Sequence, residues 1–270
     1  MDIHKPKPFH NWREFLKEYA IIVLGVATAL AAEQGVEWWH WRGQVAEARG
    51  IIASEMANNL NNAGFQLSAR SCIESRLNEI GRILDHASRE GNLPPMGLLG
   101  TAPRLIFSTG AWDSLVASQT ASHFPRGELA QLAVSYNIMQ KLETYSPIEQ
   151  QTWYELGAMT GPGRRLDPAS EAELRKALSV ARGFFQITTQ LNYRLINSVS
   201  QRNLPYNQAD LQIIAEAKRY QVENVPGNAT SSSTACRPIG AAPIQYGQAG
   251  GLVPSPEAVA KSLTLLPGGK

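Results

Sequence analysis

Charge imbalance is almost absent from this 270-residue chain, with 25 Lys and Arg against 23 Asp and Glu, a net of +2. Nucleic-acid binding leaves a basic footprint, and none is present, so no nucleic-acid partner is expected. Cysteine is scarce, with Cys72 and Cys236 alone. His4, His10, His40, His86 and His123 are scattered, and there is no HExxH, no CxxC and no histidine pair at helical spacing. Neither a metal nor a cofactor is therefore expected. No GxSxG elbow and no glycine-rich phosphate loop before a basic residue occurs, which removes common hydrolase and nucleotide-binding readings. Gly161-Pro162-Gly163-Arg164-Arg165 has the basic residues of an anion loop, but Pro162 lacks an amide donor, and the segment reads as a turn. Strand-like alternation of useful length is missing before residue 225.

What the chain does have is one long apolar segment near its N-terminus. Tyr19 to Ala32 is an uncharged run of 14 residues. As a helix it covers only about 21 Å, short of the roughly 30 Å hydrocarbon core of a bilayer. Aromatic flanks extend it: Trp12 and Phe15 come before, and Trp38, Trp39 and Trp41 after. Trp12 to Trp39 spans about 40 Å as a helix, close to a bilayer with its interfaces. Indoles favour that interface, so these five aromatics are candidate membrane-interface residues. Glu18, Glu33 and Glu37 fall near the edges, where carboxylates reach water. Lys5, Lys7, Arg13 and Lys17 precede the run, whereas only Arg42 and Arg49 follow closely. The excess predicts a cytoplasmic N-terminus and an extracytoplasmic body. In a bacterium that is the inner membrane and the periplasm.

A cleaved signal peptide is the rival reading, because Ala29-Leu30-Ala31 offers a small-x-small site after a basic start and an apolar core. Against it, Glu14 and Glu18 interrupt the basic segment, and the helical pattern runs through the cut into the Trp cluster.

The remainder reads as helical. From Gln44 to about Ser88, Val45, Ala48, Ile52, Met56, Ala63, Ile73, Leu77, Ile80 and Leu84 repeat by threes and fours. Asn58, Asn59, Asn61, Asn62 and Gly64 weaken the middle, and a kink or break is expected near Asn62 to Phe65. Glu90 to Pro95 ends that segment, and a loop-rich stretch follows to Phe107. A short helix from Ala111 to about Thr120, capped by Ser108 or Thr109, comes next. Glu128 to Tyr145 carries Leu129, Leu132, Tyr136 and Met139 on one stripe, and Pro147 starts a separate piece through Leu156. Asp167-Pro168 is an N-cap followed by a first-turn proline, opening a helix to about Arg202. That helix should pack antiparallel to the Gln44–Ser88 segment. A last helix, Gln208 to about Val222, is capped by Asn207.

The expected fold is all-α: an N-terminal transmembrane helix, an up-and-down helical bundle and an irregular Pro/Gly-rich tail. The expected boundaries are 1–17 cytoplasmic, 18–42 transmembrane, 43–224 extracytoplasmic bundle and 225–270 tail. Within the tail, Ser255 is placed to cap a short helix from Pro256 to Leu265. Outside the cytoplasm Cys72 and Cys236 form a candidate disulfide, the alternative being two free thiols.

Gly25 and Ala29 make a small-xxx-small pair, which Ala32 extends. Such faces let helices approach closely in lipid. They point to a membrane-protein partner or self-association, although small residues are also common in membrane helices generally. Asp113, His123, Arg126 and Glu128 are the first residues to inspect for an unfamiliar enzymatic site.

The segment Trp12-Arg13-Glu14-Phe15-Leu16-Lys17-Glu18-Tyr19-Ala20-Ile21-Ile22-Val23-Leu24-Gly25-Val26 resembles the opening of uncharacterised bacterial single-pass membrane proteins. Ala111-Trp112-Asp113-Ser114-Leu115-Val116-Ala117-Ser118 is similar to a second stretch in them. The resemblance covers the first half of the chain. It implies one N-terminal helix and a helical extracytoplasmic domain, and no established activity. The expected function is a non-enzymatic accessory or scaffold subunit of a membrane complex. The alternative is a ligand-binding or sensory bundle working through a partner.

Overall fold

The computed structural model describes residues 12–104, 106–222 and 233–240, without the side chain of Glu14. The expected helix from Pro256 to Leu265 and most of the Pro/Gly-rich segment lie outside the described residues. The fold is all-α, with six α-helices among those residues: α1 (Trp12–Ser68), α2 (Arg70–Glu90), α3 (Gly110–Ala117), α4 (Arg126–Leu156), α5 (Pro168–Ser200) and α6 (Gln208–Val222).

Helix α1 dominates. Its 57 residues extend about 86 Å at 1.5 Å per residue. It crosses positions 17 and 42 without interruption. The N-terminal part is uncovered, with residues 15–40 all exposed. Val45 is the first buried side chain, and from Ile52 onward one face of α1 is core.

The expected break near Asn62 does not occur. Isolated asparagines disfavour helix by bonding their own backbone. Here they bond another segment instead. Asn59 donates to the Ser108 carbonyl at 2.7 Å and accepts from the Ser108 amide at 2.9 Å. Asn62 donates to the Ile106 carbonyl at 2.6 Å. The interruption falls at Ala69, where Ser68 donates to the Phe65 carbonyl at 2.7 Å and α2 begins.

Paired contacts fix the directions. Gln66–Asn192, Leu77–Arg182 and Asp85–Arg175 make α5 antiparallel to α1 and α2, the expected arrangement. Arg49–Glu128, Glu55–Tyr136 and Asn59–Met139 make α4 parallel to α1. Ser54–Asp210 and the approach of Gly64 to Ala217 make α6 parallel to α1 as well. Two parallel neighbours need a return path between α2 and α4. That path is non-helical over residues 91–104, which pack with α2, and 106–109, which lie beside α1; α3 and a 3-10 turn, Thr120–His123, follow. The bundle is therefore up-and-down only where α4, α5 and α6 follow each other.

Local chemistry explains the ends. Asp167 accepts from the Ala169 and Ser170 amides at 3.0 Å, with Pro168 opening α5. Asn207 accepts from the Asp210 amide at 2.9 Å, and Asp210 accepts from the Asn207 amide at 3.2 Å, a reciprocal cap for α6. Neither Ser108 nor Thr109 caps α3. Glu55 of α1 does so from outside, accepting from the Ala111 amide at 2.9 Å. α4 runs unbroken through Pro147, because packing of Leu142, Ser146, Glu149 and Trp153 holds both halves in line. Asn92–Leu93 and Arg164–Arg165 pair as an antiparallel ladder of two residues each, too short to leave an alternating pattern.

Two apolar cores result. One, nearer the exposed end of α1, contains Ile52, Met56, Leu60, Leu132, Tyr136, Leu195 and Val199. The other contains Ile80, Leu84, Trp153, Leu156, Leu174 and Ala181. Cys72 and Cys236 are joined in a disulfide across the second core, Cα–Cα 4.8 Å.

Gly64 lets α6 approach closely, since a Cβ there would lie 3.0 Å from Ala217 Cα. Gly64→Val should lower the urea-unfolding free energy by about 2–3 kcal/mol. Gly50, with open space around it, should gain about 0.5–1 kcal/mol on Gly50→Ala. Cys72→Ser opens a loop with sequence separation 164. It should cost up to about 5 kcal/mol in the same measurement, and reductant should cost the unaltered protein as much.

Candidate functional site

The uncovered part of α1 and the base of the bundle form the most distinctive surface. None of the most apolar eighteen-residue window of α1 is buried against the rest of the chain, and the helix is long and apolar enough to cross a membrane. Its aromatics cluster at two levels. At the first, Trp12 stacks on Phe15 at 5.6 Å between ring centroids, and Phe15 on Tyr19 at 6.2 Å. At the second, Trp38 and Trp39 are exposed, and the Arg42 guanidinium lies 5.0 Å over the Trp38 ring. Trp41 is half-buried, stacked on His123 at 3.8 Å with an interplanar angle of 12°. Gly25, Ala29 and Ala32 are exposed, and nothing lies within 4 Å of a Cβ built at Gly25.

The four residues considered for catalysis are engaged separately. Thr109 donates to Asp113 at 3.0 Å. His123 is stacked on Trp41. Glu128 holds Arg49 through two bonds, at 2.8 and 2.6 Å. Arg126 is exposed at the first turn of α4. The Glu128 carboxylate raises the Arg49 pKa, chiefly through that hydrogen bond. Glu128 and His123 thus pack the bundle onto α1, whereas Asp113 bonds within its own helix start and Arg126 stays at the surface. Among the described residues, no group of three or more His, Cys, Asp or Glu side chains is arranged to hold a metal.

Around the disulfide, a short segment is stitched to the bundle. Thr234 Oγ1 accepts from the Thr101 amide at 2.8 Å, and the Gly240 amide donates to the Leu98 carbonyl at 3.0 Å. Arg76, buried beneath, donates to the Arg237 carbonyl and pairs with Glu79 at 3.3 Å. Desolvation lowers its pKa.

Polar groups separate the two cores. At the end of α1, Asn192 donates to Gln66, and Gln66 donates to Thr188 at 3.4 Å. On α4 the interval from Leu142 to Trp153 buries Ser146, Glu149 and Thr152. Glu149 is 3 % exposed, and burial alone pushes its carboxyl up to about 7. Sequence reading missed it because α4 was split at Pro147. Extending Leu132, Tyr136 and Met139 by threes and fours reaches Leu142, Ser146, Glu149, Trp153 and Leu156, which places a carboxyl on the core stripe.

No protein-family model matches the chain, and no curated protein or solved structure shows significant similarity to it.

The Glu149 carboxyl takes up its proton near about 7 when folded and near 4.5 when unfolded. Between those values the folded chain binds more protons, so stability falls as pH rises from about 4.5 to about 7 and is level above. Glu149→Gln should remove that slope. It should add about 2–3 kcal/mol at pH 8 and close to nothing at pH 4, read by urea unfolding at both values.

Proposed function

We propose that this chain is a non-enzymatic single-pass protein of the bacterial inner membrane, an accessory or scaffold subunit with its N-terminus cytoplasmic and its helical domain periplasmic. One observation carries the reading: α1 passes unbroken from a fully uncovered apolar segment into the centre of the bundle. A soluble fold does not leave so much apolar helix without cover. Lipid and a neighbouring helix supply that cover.

Further support comes from the Cys72–Cys236 disulfide, a bond suited to an oxidising compartment. The basic excess before the run supports the orientation. Partner association is assigned to Gly25, Ala29 and Ala32, whose side chains leave room for a second backbone. A sensory bundle is the second reading. It is favoured by the buried carboxyl of Glu149 between the two cores, and it works through a partner.

Taken from membranes in mild detergent, the unaltered chain should elute as a complex larger than its detergent-bound monomer. Gly25→Leu with Ala29→Leu should shift it to monomer size without changing its unfolding midpoint. Elution of the unaltered chain as a free monomer sinks the scaffold reading. An unshifted double variant sinks the assignment of the face.

A further inference from the structure

We propose that the cleft at the base of the helical domain binds the headgroup of an anionic phospholipid. The inference rests on the membrane reading above and assigns a site within it. The cleft, about 480 Å³, is lined by Trp38, Trp41, Arg42, Arg49 and His123, and by one carboxylate, Glu37. It is open on the side of the uncovered helix and closed on the other by the 3-10 turn and the start of α4.

Its charges are unequally committed. Arg49 is spent on Glu128 at 2.6 Å. Arg42 is exposed and rests on the Trp38 face, and no ion pair to it occurs among the described residues. A guanidinium held over an indole keeps its N–H edge free, the fork that suits phosphate oxygens. The His123 ring is fixed flat against Trp41, and its nitrogens make no hydrogen bond among the described residues. It offers a second N–H to the same oxygens. Arg126 adds positive charge next to Pro125.

Helix geometry identifies the occupant as lipid rather than a soluble phosphate. Gln34, Glu37, Trp38, Trp41 and Val45 line the cleft and lie on one stripe of α1, spaced by threes and fours. The same stripe continues through Leu30, Ala27, Val23 and Leu16, all exposed. Acyl chains leaving a headgroup in the cleft lie along that stripe. The cleft is about 40 Å from Trp12 along the helix, the level of the far headgroups. A soluble phosphate uses the two N–H edges and leaves the apolar stripe unused.

Native mass spectrometry of the full chain in non-ionic detergent tests the site. With phosphatidylglycerol added, one lipid should stay bound, and phosphatidylcholine at equal concentration should be retained far less. Arg42→Gln and His123→Gln should each lower the bound fraction by about five-fold, whereas Lys176→Gln, exposed at the far end, should leave it unchanged. An unfolding midpoint for each variant separates lost binding from lost fold. Equal retention by the Arg42 and His123 variants, or equal retention of the two lipids, overturns the proposal. Displacement by millimolar glycerol 3-phosphate overturns the lipid assignment in favour of a free phosphate. Alkaline carbonate extraction of membranes distinguishes the two readings. A chain washed into the supernatant fails the membrane reading itself, and a chain kept in the pellet that holds no phosphatidylglycerol fails only this inference.

Discussion

The continuity of α1 is the constraint on which the rest of the molecule depends. Each later element is fixed to it by a different residue in its last third. Arg49 holds the start of α4 through Glu128. Glu55 accepts from the Ala111 amide of α3 and the Tyr136 hydroxyl together. Asn59 and Asn62 pair with the end of the descending segment, at Ser108 and Ile106, beyond its short ladder at Asn92–Leu93. Gly64 admits α6 to near backbone contact. Remove helical register from residues 49–64 and none of these attachments points the right way, since five positions within sixteen residues must face four neighbours.

Two cores with a polar junction follow from the interruption at Ala69. Above it α2 carries on with a new face, and Ile73, Leu77, Ile80 and Leu84 form the second core with α5 and the end of α4. Neither core is closed by helices alone. The second needs Leu93, Leu99 and Ala102 from the return segment, and Ala235 from the strand of chain behind Cys236. That explains why Arg76 is buried with its guanidinium on the Arg237 carbonyl. A segment holding only the single 3-10 turn Thr234–Cys236 leaves the Arg237 carbonyl without a helical partner, and a buried charge is costly unless it finds acceptors. The disulfide and Arg76 meet each other's needs: one holds the segment in place, the other satisfies its backbone.

Legibility in the sequence tracked how local the cause was. Asp167-Pro168 and Asn207 were readable because an N-cap acts within three residues. The antiparallel pairing of α5 with α1 and α2 followed from stripe lengths. The asparagine cluster misled, because a helix-weakening residue and a residue that docks a distant segment have the same composition. Pro147 misled similarly: its local cost is real, but the packing of Ser146, Glu149 and Trp153 overrides it. The cap of α3 was not readable at all. Thr109 has the right chemistry and position, yet the acceptor comes from Glu55, more than fifty residues earlier in the chain. The cleft at the base was half readable. Trp38, Trp39 and Trp41 stood out as a belt with Arg42 close behind, while His123 joined them only through the return path that brings Thr120–His123 beside α1.

That belt also divides the membrane-facing helix into two surfaces. At about 100° per residue, Gln34, Trp38, Trp41 and Val45 centre on one direction, and Gly25, Ala29 and Ala32 centre on the direction about 180° away. The two faces therefore do not compete. Leu16, Val23 and Leu30 occupy the cleft side together with Ala27, a mixed surface that acyl chains would tolerate under the proposed function. Small side chains occupy the other, where a second helix needs close approach. Because α1 enters the bundle without a break, its rotation about its own axis fixes how the two faces stand relative to the domain; under the proposed function these would meet a partner helix and lipid. A helix with a flexible joint near Gly43 would carry the same residues, but the two faces would no longer fix the attitude of the domain.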